Sequence, residues 1–243
     1  MVSYSILQKG NIYIFYRPKI QHSYASHIDD VQGLLLVLKP ELNENYIIIR
    51  IGRKRLPEEE IFFSFIEKVC HSASEVKNLF SKESYKTSTD EIHEINAAQC
   101  VAEGKYLLID HDDHDHLCFQ LDNFEKDSDL LKEFHLKEAA DYLISVKNPK
   151  KHTPKGVGLP ASEKAIYPEE LQNYFSNYRF IPLKSPEFLN YEGAEFLIIG
   201  KNKSELTKDT DIKKCLENIS TDVIDQYFQV IQNADQSAFK ILK

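Results

Sequence analysis

The sequence predicts an α+β protein: a mainly antiparallel sheet of six to eight strands with packed helices and a C-terminal helical appendage. Three observations predict it. Short runs rich in Ile, Leu, Val, Tyr and Phe, bounded by Pro or Gly, recur along the chain as strands do. Other segments carry apolar residues at helical spacing. Strand-like and helix-like segments come in blocks, without the strand–helix alternation that builds a parallel sheet.

Residues 11–17, 34–38 and 46–51 read as strands closed off by Pro18, Pro40 and Gly52. Both faces of 11–17 are apolar or aromatic, so this strand is expected in the centre of the sheet. After Leu56 the period changes, and Ile61, Phe62, Phe65, Ile66 and Val69 recur at helical spacing. Pro57 followed by Glu58, Glu59 and Glu60 suits a helix start, because proline fits the first turn and carboxylates complement the positive end of the dipole. A second helix is expected from Ser72, with Glu75 completing a capping box and Val76, Leu79 and Phe80 buried. Residues 81–96 are polar and read as irregular.

Residues 105–109 and 116–121 read as strands joined by an acidic, histidine-rich turn at 110–115. Ser128 caps a helix that buries Leu130, Leu131 and Phe134, and 141–147 is a strand stopped at Asn148 and Pro149. The stretch 148–165 has no apolar period and reads as a surface loop. Pro168 opens a short helix through Phe175, and 178–181 and 194–199 are strands. Tyr191, Glu192 and Gly193 make a turn in which Gly193 takes a backbone shape that other residues avoid. The charged tail ends in a helix capped by Thr221, with Val223, Ile224, Tyr227, Phe228 and Ile231 on one face. The expected organisation is an α+β core over 1–200 and a helical tail over 201–243.

Charge narrows the partners. The chain has 243 residues, with 30 Lys and Arg against 38 Asp and Glu, for a net charge of −8. Nucleic-acid binders draw their affinity from basic faces, so this balance argues against DNA or RNA as the partner. The four cysteines are dispersed and make no CxxC pair, which argues against a disulfide framework and for free thiols in a reducing compartment. The N-terminal residues carry no secretory pattern, and the longest apolar run, 34–38, spans no bilayer. A soluble, cytoplasmic protein without a membrane partner is expected.

Several phrases together resemble one family. They are FYRPKI (15–20), DDVQGLLLVLKPE (29–41), IGRKRLP (51–57), FSFIEKV (63–69) and HDDHDHL (111–117), then LISVKNP (143–149), YPEELQ (167–172) and SPEFLNYEGAEFLIIG (185–200). Their order and spacing are similar to those of a family of uncharacterised proteins from bacteria, haloarchaea and filamentous fungi, some fungal members of which are labelled BTB domain transcription factor. The resemblance covers about residues 10–200 and implies no particular activity. The transcription-factor label is not carried over, because the chain shows no BTB-type helical pattern and its acidic balance opposes DNA binding. Between 89 and 100 the relatives tend to show arginines, a histidine and prolines, where this chain has Asp90, Glu91, His93 and Gln99. An anion site built on those arginines would be weakened here.

The strongest chemical signal is the hairpin at 111–118. On a strand, the period of two puts His114, His116 and Cys118 on one face and Leu117, Phe119 and Leu121 on the other. With His111 they form a candidate set of ligands for a divalent metal such as zinc, which accepts imidazole and thiolate. Asp110, Asp112 and Asp115 are candidate ligands or acceptors that fix the imidazole tautomers. The bland alternative is a solvated acidic turn. A second candidate is an anion site at Arg50, Arg53, Lys54 and Arg55 around Gly52, against which stands simple pairing with Glu58, Glu59 and Glu60. A third is the basic loop with Lys147, Lys150, Lys151, His152 and Lys155, which could close over an anion or simply be solvated. No hydrolase, kinase or metalloprotease motif occurs. Function is therefore expected to be that of a non-enzymatic binding or interaction protein with a protein partner. The alternatives are a metal-dependent enzyme at 111–118 and a phosphate or nucleotide binder at Arg50 to Arg55.

Overall fold

In the computed structural model, the described residues are 4–86, 90, 92–111, 114–153 and 157–200. The chain divides into two units, Met1–Asn202 and Lys203–Lys243. The second unit, with the tail helix expected there, lies outside the described residues, as do Glu91, Asp112, Asp113 and Lys155.

Among the described residues, the first unit has eleven strands and three short α-helices. The strands are β1 (Tyr4–Pro18), β2 (Val31–Pro40), β3 (Tyr46–Ile51), β4 (Ile61–Cys70), β5 (Glu83–Lys86), β6 (Ile92–Ile95), β7 (Gln99–His111), β8 (His114–Phe124), β9 (Ala139–Lys147), β10 (Phe180–Pro182) and β11 (Glu195–Gly200). The helices are α1 (Ala73–Phe80), α2 (Asp129–Glu133) and α3 (Glu169–Tyr174).

The main sheet runs β10-β9-β11-β4-β3-β2-β1-β7-β8, and β8 also pairs with β9. That last pairing, from Asp115 opposite Ile144 to Gln120 opposite Ala139, closes the sheet on itself. The result is a closed antiparallel barrel of eight strands, with β10 extending the β9 edge beyond the end of β8. The α+β architecture with packed helices is thereby overturned. A barrel buries its apolar residues inside its own sheet, so it needs no helical layer.

The alternation of each strand fills the barrel. Ile12 and Ile14 of β1, Leu34, Leu36 and Leu38 of β2, and Ile47 and Ile49 of β3 are fully buried in one core. Tyr106, Leu117, Phe119, Ile144, Phe196 and Ile198 complete it from the remaining strands. Side chains occupy the interior, as expected of a barrel of eight strands. Gly104 lies opposite Ile12 on one side and Leu121 on the other, where a Cβ would collide with the Gln120 carbonyl. The position requires glycine for that close approach.

The helix expected after Pro57 is instead β4. A bulge between its pairings with Ile48 and Ile49 leaves Glu67 as an extra residue. Phe62, Ser64 and Ile66 face inward before it, and Val69, opposite Ile47, faces inward after it. Inward residues at 62, 66 and 69 imitate helical spacing. Residues 83–86 and 92–95, expected to be irregular, pair as the small sheet β5–β6.

The helices are accessory. Ser72 caps α1 by accepting the Glu75 N–H, as the sequence implies. Val76 and Phe80 then cover Phe15, Leu35, Val37 and Ile48 on the outer barrel face, with the Phe15 and Phe80 rings 4.7 Å apart. Phe134 after α2 and Tyr167, Phe175 and Phe188 around α3 join the main core. Gly193 adopts φ +76°, as its turn requires, and donates to the Ile66 carbonyl.

Candidate metal centre

His111 ends β7 and His114 starts β8, and the two residues are direct cross-strand partners. His116 and Cys118 follow at the strand period on the same face, while Leu117, Phe119 and Leu121 point into the barrel. This face is the outside of the barrel. Closure then adds a strand that sequence order does not reveal as a neighbour: β9 places Asp141 directly opposite Cys118 and diagonal to His116.

Donor atoms therefore line one strip. His111 Nδ1 and His114 Nε2 are 3.1 Å apart. The His114 and His116 rings are 4.8 Å apart, and those of His111 and His116 5.6 Å. His116 Nδ1 lies 2.7 Å from Asp141 Oδ1, to which Cys118 Sγ also donates at 3.4 Å. His116, Cys118 and Asp141 are buried, whereas His111 and His114 are half-buried.

Two overlapping groups could each hold a metal ion: His111, His114 and His116, and the buried set His116, Cys118 and Asp141. The four sequence candidates thus converge, and Asp141 is the donor that sequence reading missed. Its only local signal is alternation along β9, where Tyr142, Ile144 and Val146 take the inner face.

The neighbouring carboxylates behave differently from the expectation. Asp110 and Asp115 are cross-strand partners on the inner side, away from the histidines. Asp115 accepts the Lys184 N–H at 2.6 Å, and Lys184 Nζ donates to Asp110 at 2.7 Å. Burial pushes the Asp115 carboxyl up to about 6. The bond from the Lys184 ammonium holds Asp110 below the usual carboxylate range.

His116 Nδ1 and Cys118 Sγ both meet Asp141 Oδ1, so the carboxylate holds the imidazole and the thiol alike. His71 turns from Cys70 to Asn45, at 2.9 Å.

The basic candidates do not converge. Arg50 pairs with Glu67 at 3.2 Å and lies over the Phe65 ring, Arg55 pairs with Glu60 at 2.8 Å, and Lys54 donates to the Ile28 carbonyl. Arg53 is exposed in the turn. Lys147, read as part of a basic loop, is buried and bonded to Glu195 at 3.0 Å, while Lys150 and His152 are exposed.

No helix among the described residues is long and apolar enough to cross a membrane. Comparison with family models, curated proteins and solved structures gives no match to this chain.

Proposed function

We propose that this protein binds a divalent ion of the zinc class through His111, His114 and His116 on the outer face of the barrel. The observation that carries the reading is the approach of the three imidazoles, with His116 held at Nδ1 by Asp141. Ligand atoms about 2.0–2.1 Å from a tetrahedral zinc lie roughly 3.3–3.4 Å from one another. The 3.1 Å between His111 Nδ1 and His114 Nε2 needs only a small opening to reach that edge. A carboxylate accepting the Nδ1 proton fixes the tautomer, so that Nε2 presents its lone pair and becomes a stronger donor.

Three protein ligands leave a fourth coordination position, which water or a partner group would fill. The free thiols Cys70, Cys100 and Cys118 suit a reducing, cytoplasmic setting. This reading takes its site from the metal-dependent alternative of the sequence analysis and places binding, rather than catalysis, at the centre of the function. Membership in the family the sequence resembles stands alongside it as a proposal.

The test is metal content by mass spectrometry on dialysed protein, followed by Zn²⁺ titration calorimetry. Stoichiometric binding is expected, with a loss of at least a hundredfold in affinity for His114→Ala and His116→Ala at unchanged circular dichroism. Absence of stoichiometric binding across Zn²⁺, Co²⁺, Ni²⁺ and Cu²⁺ overturns the reading.

A further inference from the structure

We propose that the strip holds two metal ions, joined through the His116 ring. The inference rests on the metal-binding reading above and extends it to the buried end of the strip. One ion would take His111, His114 and Nε2 of His116. The second would take Nδ1 of the same ring with Cys118 Sγ and Asp141 Oδ1.

The geometry that carries this is the sharing of one imidazole by two donor triples. An imidazole has two nitrogens on opposite edges, and each can bind a metal once the ring has lost its proton. His116 Nδ1 is aimed at Asp141, so that edge already meets the inner set. Cys118 and Asp141 are cross-strand partners, and their 3.4 Å contact is close to the roughly 3.5–3.6 Å sulfur–oxygen edge of a tetrahedral zinc site. The His116–Asp141 pair, at 2.7 Å, must open, since that separation is a hydrogen bond and not a ligand edge.

Charge is balanced by the same chemistry. Binding of the inner ion replaces two protons, one from His116 Nδ1 and one from the Cys118 thiol. Imidazolate, thiolate and carboxylate then supply three negative charges in a buried region, offsetting most of the charge on the two ions. The outer ion, by drawing electron density from the ring, favours release of the Nδ1 proton. Filling is therefore ordered: the three-imidazole position first, the sulfur-containing position second. Donor type sets the preference, because thiolate at the inner position favours softer ions than the imidazoles do.

The experiment is a Co²⁺ titration of the full chain followed by absorption spectroscopy, with bound metal counted by mass spectrometry. Two equivalents are expected, with the thiolate-to-cobalt charge-transfer band growing only with the second. Cys118→Ser is expected to bind one equivalent with no such band, at unchanged circular dichroism. A His111→Ala, His114→Ala double variant is expected to lose ordered filling. Saturation of the wild type at one equivalent overturns the two-ion proposal, and if no thiolate band appears the three-histidine reading survives it. A thiolate band complete at the first equivalent also overturns the proposal. Failure to bind any ion overturns both.

Discussion

Asp141 Oδ1 sits 2.7 Å from His116 Nδ1 across the seam where the barrel closes. Asp141 accepts from both His116 and Cys118, so it orients two donors at once. Asp141→Asn keeps the shape but removes the charge that strengthens the imidazole. A loss of about 10–100-fold in Zn²⁺ affinity is expected, the usual effect of removing such a partner. Titration calorimetry of folded variant and wild type checks it, and equal affinities would show that the carboxylate has no part in the site.

A second buried pair holds the long loop. Lys147 and Glu195 come from neighbouring strands, and both are buried. Glu195 also accepts the Leu159 N–H at 2.9 Å, which ties the loop to the barrel wall. Burial pulls the Lys147 ammonium below its ordinary pKa, with the Glu195 bond opposing it. Removing Lys147 leaves the buried Glu195 carboxylate with only the longer contact to Lys164, at 3.8 Å, so Lys147→Met is expected to cost about 3 kcal/mol, the low end for breaking a buried pair. The double variant Lys147→Met, Glu195→Gln should recover a large part of that loss. Urea unfolding of the wild type, Lys147→Met, Glu195→Gln and the double variant measures the coupling, and simple additivity would mean that the ion pair is not a unit.

Local sequence carried some of this architecture and missed the rest for identifiable reasons. Tyr46–Ile51 is legible because its breakers and its β-branched run agree. Residues 61–70 are not, because one bulged residue, Glu67, shifts the inward positions from the strand period to a helix-like one. The histidine strip is legible along β8, where a period of two suffices. Asp141 is not, because its neighbourhood depends on which strands meet when the sheet closes, 23 residues away in sequence from Cys118. The separation of the basic residues has a similar origin: Arg50 and Arg55 find carboxylates within the β3–β4 hairpin, Lys54 reaches the Ile28 carbonyl, and Arg53 stays exposed in the turn.

The described thiols should resist modification. Burial, assisted by Glu103, pushes the Cys100 thiol up to about 12, and burial raises that of Cys70. Cys118 has no solvent exposure. Since the thiolate is the reactive form, all three should escape brief alkylation by iodoacetamide at about pH 8 in the native state and react fully in urea. Peptide mass spectrometry resolves the sites. Rapid native labelling of Cys118 would contradict its burial on the outer strip.

The paired carboxylates inside the barrel rim give the metal-free protein a pH dependence whose sign is fixed. Asp115 has a folded pKa near 6, above its value in an unfolded chain, so the folded state holds the extra proton. Stability from this group is full at low pH and falls as pH rises from about 4 to about 6. Asp110 acts with the opposite sign and at lower pH, because its depressed pKa means that its contribution is lost as pH falls through that value. Asp115→Asn mimics the protonated acid and keeps an acceptor for the Lys184 N–H. It should flatten the fall in melting temperature between about pH 4 and 7 and leave the variant more stable than the wild type at the upper end. Thermal unfolding of both proteins across that range, with metal removed by chelation, reads the difference directly. A variant that loses stability more steeply than the wild type as pH rises would show that ionised Asp115 supports the rim through Lys184 rather than burdening it.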